Sequence, residues 1–424
     1  MEYDLVLEGK VVTPGGILDA EVGVDEGVVA EIGHGVKGYR RIATERCLIF
    51  PGFVDMHVHL REPGWEHKED FRTGTEAAAH GGVTTVVDMP NTPIPTTTTA
   101  ALEEKKRLAR AKAVVRVEFQ GGVVVGKFER IPELAKGVVS FKLYLSETTG
   151  TTPFPESELG TALKEIARTK RPVSIHCEDQ SVIDKMRESL RGVDRPDVNC
   201  DIRPPSAEVI AVERVVEAAR TADGVRANVC HASVGETISL VKKARADKLR
   251  ISCEAALHHL YFNREALLAN RMLNTNPPLR REEDRQALLV GIRNGSVSFL
   301  VTDHAPHAED EKRGGGPSGV PGLDDFGHVA SWLIRSERVD PLTLAMVASS
   351  NPAAHLGLSD RGSIAVGKRA DFAVLDLHSP EVVRNEDVRS KCGWSPYEGR
   401  EFPGRVRWTV IGGTTLVDDF EPVS

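Results

Sequence analysis

The sequence lacks the features that mark secreted, disulfide-stapled or membrane-spanning proteins. No stretch approaches the roughly 18 uninterrupted apolar residues of a membrane span, and the N-terminus has no basic segment followed by an apolar one. Cysteine is scarce and shows no Cys-x-x-Cys spacing, which disfavours a disulfide framework and a thiolate zinc site. We therefore expect a cytoplasmic protein with reduced thiols. The six cysteines of the 424 residues are Cys47, Cys177, Cys200, Cys230, Cys253 and Cys392.

A strong charge of one sign is also missing. The chain has 54 Lys and Arg residues against 62 Asp and Glu residues, interspersed, for a formal net charge of −8. No basic tract indicates a nucleic acid or an anionic membrane as partner. Small molecules are therefore the expected ligands. The chain is long enough for one α/β barrel of about 250 residues and a smaller domain.

Short β-rich segments alternate with helix-like segments from about residue 53 to 303. Eight strand candidates, each followed by room for a helix, predict a (β/α)₈ TIM-like barrel over residues 51–361. The eight segments are FVDMHVH, VTTVVDMP, VVRVEFQGGVVV, VVSFKLYL, PVSIHCE, VRANVCHA, LRISCEAA and VSFLVTDH.

The two ends of the chain differ from its middle. Residues 1–50 and 362–424 are rich in strand-like segments and Gly turns, with little helical periodicity. They predict a small β-sandwich domain built from both termini. The Gly-rich segment Ala305–Gly322 follows the last predicted barrel strand. Long loops after barrel strands are usually functional, so we expect this one to be a wall or lid of the active site.

Two histidines stand close together at the end of the first predicted barrel strand. In FVDMHVHLREP, His57 and His59 are two residues apart. Because strand side chains alternate with period two, both project from one face and can reach one metal ion. A lone histidine at such a position is more often a packed core residue, so His-x-His alone does not establish a metal site.

Three more candidate ligands end other predicted strands. They are His176 in PVSIHCE, His231 in VRANVCHA and Asp303 in FLVTDH. The carboxyl ends of barrel strands converge on the face where barrel active sites lie. Imidazole and carboxylate ligands suit zinc or a neighbouring divalent transition metal. The sequence therefore predicts a metal site at this face.

Lys142 lies in the apolar segment VVSFKLYL, where an unpaired ammonium would be costly. Desolvation and nearby cations favour the neutral amine, which can react with carbon dioxide to give a carbamate able to bridge two metals. The alternative is a lysine paired with an acidic neighbour, which spacing alone favours.

These motifs together resemble the amidohydrolase superfamily, and most closely its class I dihydroorotases. FVDMHVHLREPG, FKLYL, the two later strand histidines, VTDHAPH and the terminal GSIAVGKRADFAVLD carry the resemblance over nearly the whole chain. It implies two zinc ions and a water molecule activated between them. The implied ligands are His57, His59 and Asp303 for one ion, His176 and His231 for the other, and N6-carboxylated Lys142 as the bridge.

The resemblance also implies substrate-binding positions. Arg61 in HLREP and Asn91 in MPNT match binders of the substrate carboxylate, His307 in DHAPH matches a third polar contact, and Asn276 and Gly322 match further substrate positions. A guanidinium fork suits a carboxylate. Arg61 could instead form a surface salt bridge, Asn91 could serve a turn, Asn276 could be structural, and Gly322 could be a loop hinge.

The implied reaction is the reversible cyclisation of N-carbamoyl-L-aspartate to dihydroorotate, a step of de novo pyrimidine synthesis, with Asp303 as the catalytic proton carrier. The rivals are allantoinase, hydantoinase and a silent, metal-free assembly partner. Arg61 with the MPNT stretch favours dihydroorotase over the first two, and the intact ligand set disfavours the third. A homo-oligomer or association with other pyrimidine-pathway enzymes is compatible with the sequence.

The other histidines lack a partner at ligand spacing, and we expect them to lie outside the metal site. Strand alternation also predicts that Cys177 and Cys230, which adjoin ligand histidines, point away from the cavity. The excluded histidines are His34, His67, His80, His258, His259, His304, His328, His355 and His378.

Overall fold

Strands occupy both ends of the chain and its middle in the computed structural model, which describes residues 2–423. The N-terminal strands are β1 (Tyr3–Thr13), β2 (Gly16–Asp25), β3 (Val28–Gly33) and β4 (Gly38–Pro51). The central strands are β5 (Phe53–Val58), β6 (Val83–Asp88), β7 (Arg116–Gly122), β8 (Ser140–Tyr144), β9 (Val173–His176), β10 (Ala227–Val229), β11 (Ile251–Ala256) and β12 (Phe299–Val301). The C-terminal strands are β13 (Phe372–Asp376), β14 (Glu381–Val382), β15 (Glu401–Phe402), β16 (Arg405–Ile411), β17 (Thr414–Asp418) and β18 (Glu421–Pro422).

The central strands form a closed parallel barrel. Strands β5 to β12 are hydrogen-bonded in chain order. The first and last meet where Val58 forms a parallel bridge with His304, and the His59 N–H donates to the His304 carbonyl oxygen at 2.8 Å. Every residue of β5 and β6 is buried, as expected for parallel strands covered on both faces. The predicted (β/α)₈ TIM-like barrel is confirmed, and each predicted strand is present.

Helices fill the connections between the barrel strands and continue beyond β12. Asp70 caps the first, because its carboxylate accepts the N–H groups of Arg72 and Thr73. Within residues 2–423, no helix combines the length and apolar character needed to cross a bilayer. The helices are α1 (Phe71–His80), α2 (Thr99–Lys112), α3 (Ile131–Leu134), α4 (Glu156–Arg168), α5 (Gln180–Ser189), α6 (Val198–Ile202), α7 (Pro205–Thr221), α8 (Gly235–Ala246), α9 (Leu257–Tyr261), α10 (Glu265–Ala269), α11 (Glu282–Arg293), α12 (Glu309–Arg313), α13 (Phe326–Arg335), α14 (Pro341–Ala345) and α15 (Asn351–Leu356).

A second sheet contains strands from both termini, as predicted. Its order is β18-β17-β16-β13-β4-β1-β2-β3, so the N-terminal β4 pairs with the C-terminal β13. Alternating residues of these strands are buried in a separate apolar cluster that includes Leu7, Val22, Phe372 and Trp408. β4 ends at Pro51 and β5 begins at Phe53, so the sheet leads directly into the barrel. The boundaries proposed at residues 50 and 362 stay a prediction.

An ion pair joins the barrel to this sheet, and its removal should destabilise the protein. Arg116, at the start of β7, donates from Nε and Nη2 to the Asp371 carboxylate at 2.8 and 3.0 Å. Arg116→Met leaves the buried Asp371 with the Gly412 N–H as its remaining donor. We expect the free energy of unfolding to fall by about 1–3 kcal/mol, visible as a lower midpoint in calorimetry.

The matched control for this prediction is Arg107→Met. Arg107 makes an equally bidentate pair with Glu104, but both side chains are exposed on α2. Exposed pairs contribute little because water screens them, so the control should leave the midpoint unchanged. Equal midpoints for the two variants would show that the Arg116 pair does not stabilise the joint.

Candidate active site

A narrow cavity lies at the carboxyl ends of the barrel strands. The predicted metal ligands surround it and lie on five barrel strands or just after them. Active sites of such barrels occur at this end of the strands. The loop after β12 forms part of its wall, through Ala305, Ser318 and Gly319, as expected for the Ala305–Gly322 segment. The six predicted ligands that line the cavity are His57, His59, Lys142, His176, His231 and Asp303.

Three of these residues form a compact donor group. The ligand atoms of His57, His59 and Asp303 all lie within 4.8 Å of one another, and the three residues are buried. Asp303 Oδ1 is 3.3 Å from His57 Nε2 and 3.5 Å from His59 Nε2. Asp303 follows β12 with a positive φ of 48°, so the backbone turns there and carries the carboxylate toward the histidines.

The remaining nitrogen of each imidazole is held by the protein. His57 Nδ1–H donates to Glu254 Oε1, and His59 Nδ1–H donates to Asn91 Oδ1 at 2.9 Å. These bonds fix the tautomers that leave both Nε2 atoms with a free lone pair. Metal-binding histidines in proteins are oriented in this way by partners behind them.

A second pair of histidines lies beside the first group, with the ring centroids of His57 and His231 5.0 Å apart. His176 Nδ1 is 3.1 Å from His231 Nε2, and His176 Nε2–H donates to Glu178 Oε2 at 2.8 Å. Arg203 donates to the same carboxylate of Glu178 and fixes it. Two imidazole nitrogens that face each other at this distance can share one cation.

Burial keeps the imidazoles of His59, His176 and His231 neutral. It lowers the pKa of His59 to about 3 and holds the pKa values of His176 and His231 below their usual value. Neutral imidazole is the form that binds metal, so the donors are ready for a cation near neutral pH.

Lys142 lines the same cavity, and no acidic side chain of the described residues pairs with it. It is on β8, is 1% exposed, and donates from Nζ to Cys230 Sγ at 2.8 Å. Within residues 2–423, no carboxylate oxygen lies within 4.0 Å of its ammonium. The pairing with an acidic neighbour that spacing favoured is therefore absent. A buried amine without an anion is the condition under which carbamate formation is favourable.

The expectation that Cys230 points away from the cavity is wrong. Asn228 of β10 faces the barrel interior, where it contacts Glu254, and alternation places Cys230, two residues later, on the same side. His231, with a positive φ of 33°, is the residue that departs from the alternation and still lines the cavity. The Cys230 thiol turns inward to Lys142 Nζ. Cys177 behaves differently, because its thiol donates to the Ile175 carbonyl oxygen and does not line the cavity.

Glu254 is a functional candidate that the sequence reasoning missed. It is fully buried on β11 and binds His57 through Oε1, the Asn228 amide through Oε2 at 2.7 Å and the His231 N–H at 3.1 Å. It thus supports one candidate ligand from each histidine group. The available signal was the single acidic residue in the otherwise small and apolar strand segment ISCEAA.

Arg61 lines the same cavity next to the histidines. It is 2% exposed, and its Nε donates to the Pro306 carbonyl oxygen at 3.2 Å. Among the described residues, no carboxylate forms a salt bridge with it, so the surface-pair alternative is absent. Burial lowers the pKa of Arg61 to about 10, which still leaves it charged near neutral pH.

The other predicted substrate contacts divide into two groups. Asn91 and Asn276 line the cavity, but the Asn91 amide is engaged by His59 and by the Thr149 carbonyl oxygen at 2.9 Å. His307 and Gly322 are not among the residues that line the cavity, so their role at the substrate stays a prediction. The Gly322 N–H donates to His304 Nδ1 at 3.2 Å, and His307 contacts Arg61 instead of the cavity.

The histidines that we expected outside the metal site do not line this cavity. His304, which follows Asp303, shows where such a residue points: its Nε2 lies 3.3 Å from Glu69 Oε2, on the side away from the metal candidates.

The barrel and its buried histidine and aspartate donors define a class of hydrolase in which metal assists attack on a carbonyl group. The model of the amidohydrolase family matches residues 48–416. An allantoinase of Rubrobacter xylanophilus is 34% identical, covering 100% of this chain and 96% of the relative. A dihydroorotase of Methanothermobacter thermautotrophicus is 33% identical, covering 99% and 95%.

The solved structure of L-hydantoinase (dihydropyrimidinase) from Arthrobacter aurescens superposes with a TM-score of 0.96 at 26% identity, covering 100% of this chain and 98% of that one. The chain belongs to the amidohydrolase family and, within it, to the cyclic amide hydrolases.

The contact between Glu254 and His57 gives a direct prediction for metal affinity. Glu254→Gln keeps the size of the side chain but removes the charge that orients and polarises His57. We expect metal affinity, measured by competition with a chelator, to fall roughly 10- to 100-fold. The control is Glu236→Gln, on the surface of α8. Unchanged affinity in the Glu254 variant would exclude the orienting role.

Proposed function

We propose that this protein is a zinc-dependent dihydroorotase that interconverts dihydroorotate and N-carbamoyl-L-aspartate. The observation that carries the proposal is Arg61, a buried guanidinium at the cavity with no carboxylate partner in the described chain. A buried charge without a partner is costly, so an anionic ligand is its natural complement. A carboxylate on the substrate ring supplies that anion.

Overall sequence identity does not decide between the candidate substrates, because an allantoinase and a dihydroorotase match this chain about equally well. The histidine, lysine and aspartate donors serve the hydrolysis of any cyclic amide. Arg61 is the feature that distinguishes a carboxylate-bearing ring from the rings of allantoin and hydantoin, which have no carboxylate for it to bind.

The donor set fits two divalent ions. His57, His59 and Asp303 would hold one, His176 and His231 the other, and a carboxylated Lys142 would be shared. When bound, the ions supply Lewis acidity and bring the pKa of water close to neutral. Imidazole, carboxylate and carbamate oxygen are ligands that zinc accepts.

The side chains then have separate tasks. Arg61 would orient the ring by its carboxylate, from a position that its bond to Pro306 fixes. Asp303 would accept a proton from the attacking water and deliver it to the ring nitrogen as the carbon–nitrogen bond breaks.

The reverse reaction closes the ring with loss of water and would place the enzyme in de novo pyrimidine synthesis in the cytoplasm. The binding partner of the enzyme would be its small-molecule substrate, N-carbamoyl-L-aspartate or dihydroorotate. Self-association or contact with enzymes of neighbouring steps is compatible with this role.

The deciding experiment is a substrate comparison with metal-replete and chelator-treated protein. Dihydroorotate, allantoin and dihydrouracil are supplied separately, and ring opening is followed by ultraviolet absorbance or by chromatography of the products. We expect metal-dependent turnover of dihydroorotate in strong preference to the others. Preferred turnover of a ring without a carboxylate would overturn the substrate assignment and leave the metal site intact. No turnover by metal-replete protein would favour a catalytically silent relative.

A further inference from the structure

Lys68 makes an unusual contact behind the cavity wall. It lies in the loop between β5 and α1, is 9% exposed, and places Nζ 3.0 Å from His307 Nδ1. Glu311 of α12 holds the same ammonium, with Oε2 at 3.1 Å. A lysine ammonium can only donate hydrogen bonds, so His307 Nδ1 must accept.

This contact decides which nitrogen of His307 carries the proton. Burial, together with Arg61, Lys68 and Lys312 nearby, lowers the pKa of His307, so the imidazole is neutral. A neutral imidazole whose Nδ1 accepts carries its hydrogen on Nε2. That N–H has an acceptor in place, the Ser318 carbonyl oxygen at 3.2 Å.

Because His307 carries its hydrogen on Nε2, its contact with Arg61 is not a hydrogen bond. Arg61 Nη2 lies 3.3 Å from His307 Nε2. With hydrogen on both atoms, two donors face each other and no bond forms between them. The Nη groups of Arg61 are then left without an acceptor in the described chain, since its Nε uses the Pro306 carbonyl oxygen. An acceptor entering from the cavity would relieve this arrangement.

We propose that Lys68 is a positioning residue for carboxylate recognition: it fixes His307 as the Nε2–H tautomer and thereby denies Arg61 an internal hydrogen-bond acceptor. The guanidinium stays available to the acid group of the substrate. Glu311 ties this arrangement to the loop after β12, and Ser318 of the same loop lines the cavity. The inference rests on the proposed function, because it assigns Arg61 to a substrate carboxylate.

The first test needs neither substrate nor a variant at Lys68. Long-range ¹H–¹⁵N spectra of protein labelled at histidine report which ring nitrogen is protonated, and the signals of His307 are identified by their loss in His307→Gln. We expect the hydrogen on Nε2 in the wild-type protein. A hydrogen on Nδ1 would overturn the inference, whatever the substrate proves to be.

The second test compares Lys68→Met with Lys68→Arg. Without the ammonium, His307 can accept from Arg61 and divert its guanidinium. We expect KM for dihydroorotate to rise on the order of tenfold in the Met variant, with kcat little changed. The Arg variant, which keeps a charged donor, should restore much of the loss. A fall in kcat at constant KM, or kinetics equal to the wild type, would contradict the inference.

Two controls separate this inference from the proposed function. Lys136→Met removes an exposed ammonium remote from the cavity and should leave KM unchanged. Failure of the wild-type protein to open dihydroorotate would refute the proposed function. Normal dihydroorotate turnover by a protein with His307 protonated on Nδ1 would refute the role of Lys68 alone.

Discussion

Replacing Lys142 by alanine is expected to abolish turnover and to remove metal from the protein. Lys142 lines the cavity with both histidine groups, and its ammonium contacts a thiol and no carboxylate of residues 2–423. If a carbamate on this amine is shared by two ions, its loss removes a ligand from both. A loss of several kcal/mol in transition-state stabilisation corresponds to roughly 10³-fold or more in rate.

The measurements for this variant are metal content by mass spectrometry after dialysis and initial rates with added zinc. Lys142→Met serves as a second variant, because it fills the space of the side chain without an amine. In the wild-type protein, ¹³C-labelled bicarbonate should give a carbamate signal that both variants lack. Lys136→Ala is the exposed control. Retention of metal and turnover by either Lys142 variant would exclude the bridging role.

The second large effect is expected from Arg61→Met, and it should depend on the substrate. Losing a buried, charge-assisted contact to the substrate carboxylate should lower kcat/KM for dihydroorotate by roughly 10²- to 10³-fold. Within the described part of the chain, Arg61 makes no hydrogen bond to a candidate metal ligand, so metal content should not change. The rate with dihydrouracil, which has no carboxylate, should show no comparable fall.

Arg61→Lys refines this result. It keeps the positive charge but loses the planar fork that matches a carboxylate, so we expect activity between that of the wild type and the Met variant. An equal fall for dihydroorotate and dihydrouracil in the Met variant would assign Arg61 to the general structure of the site. It would also remove the observation that carries the proposed substrate.

Sequence reasoning succeeded where the pattern was regular. The eight barrel strands were recognisable because each is short, apolar and followed by a helix-like segment, and parallel strands buried on both faces require that composition. The convergence of His57, His176 and Asp303 followed from barrel geometry, because each stands at the carboxyl end of a strand.

The same reasoning failed where the backbone leaves the strand. Cys230 was expected to point outward because His231 was placed inward, but the positive φ of His231 lets both consecutive side chains face the barrel interior. His307 and Gly322 do not line the cavity, and their predicted contacts with the substrate stay a prediction. Periodicity describes regular elements and carries no information about the path of an irregular loop.

Pattern and composition were enough to predict the barrel, the sheet built from both termini, and the set of residues whose chemistry suits metal and a carboxylate. Only the tertiary structure decided how those residues are supported. Glu254 meets His57 from a strand 197 residues further along the chain, and Lys68 meets His307 across 239 residues. Such contacts depend on how separate elements pack in space. No local pattern in the sequence records them, because each partner alone is an ordinary buried polar residue.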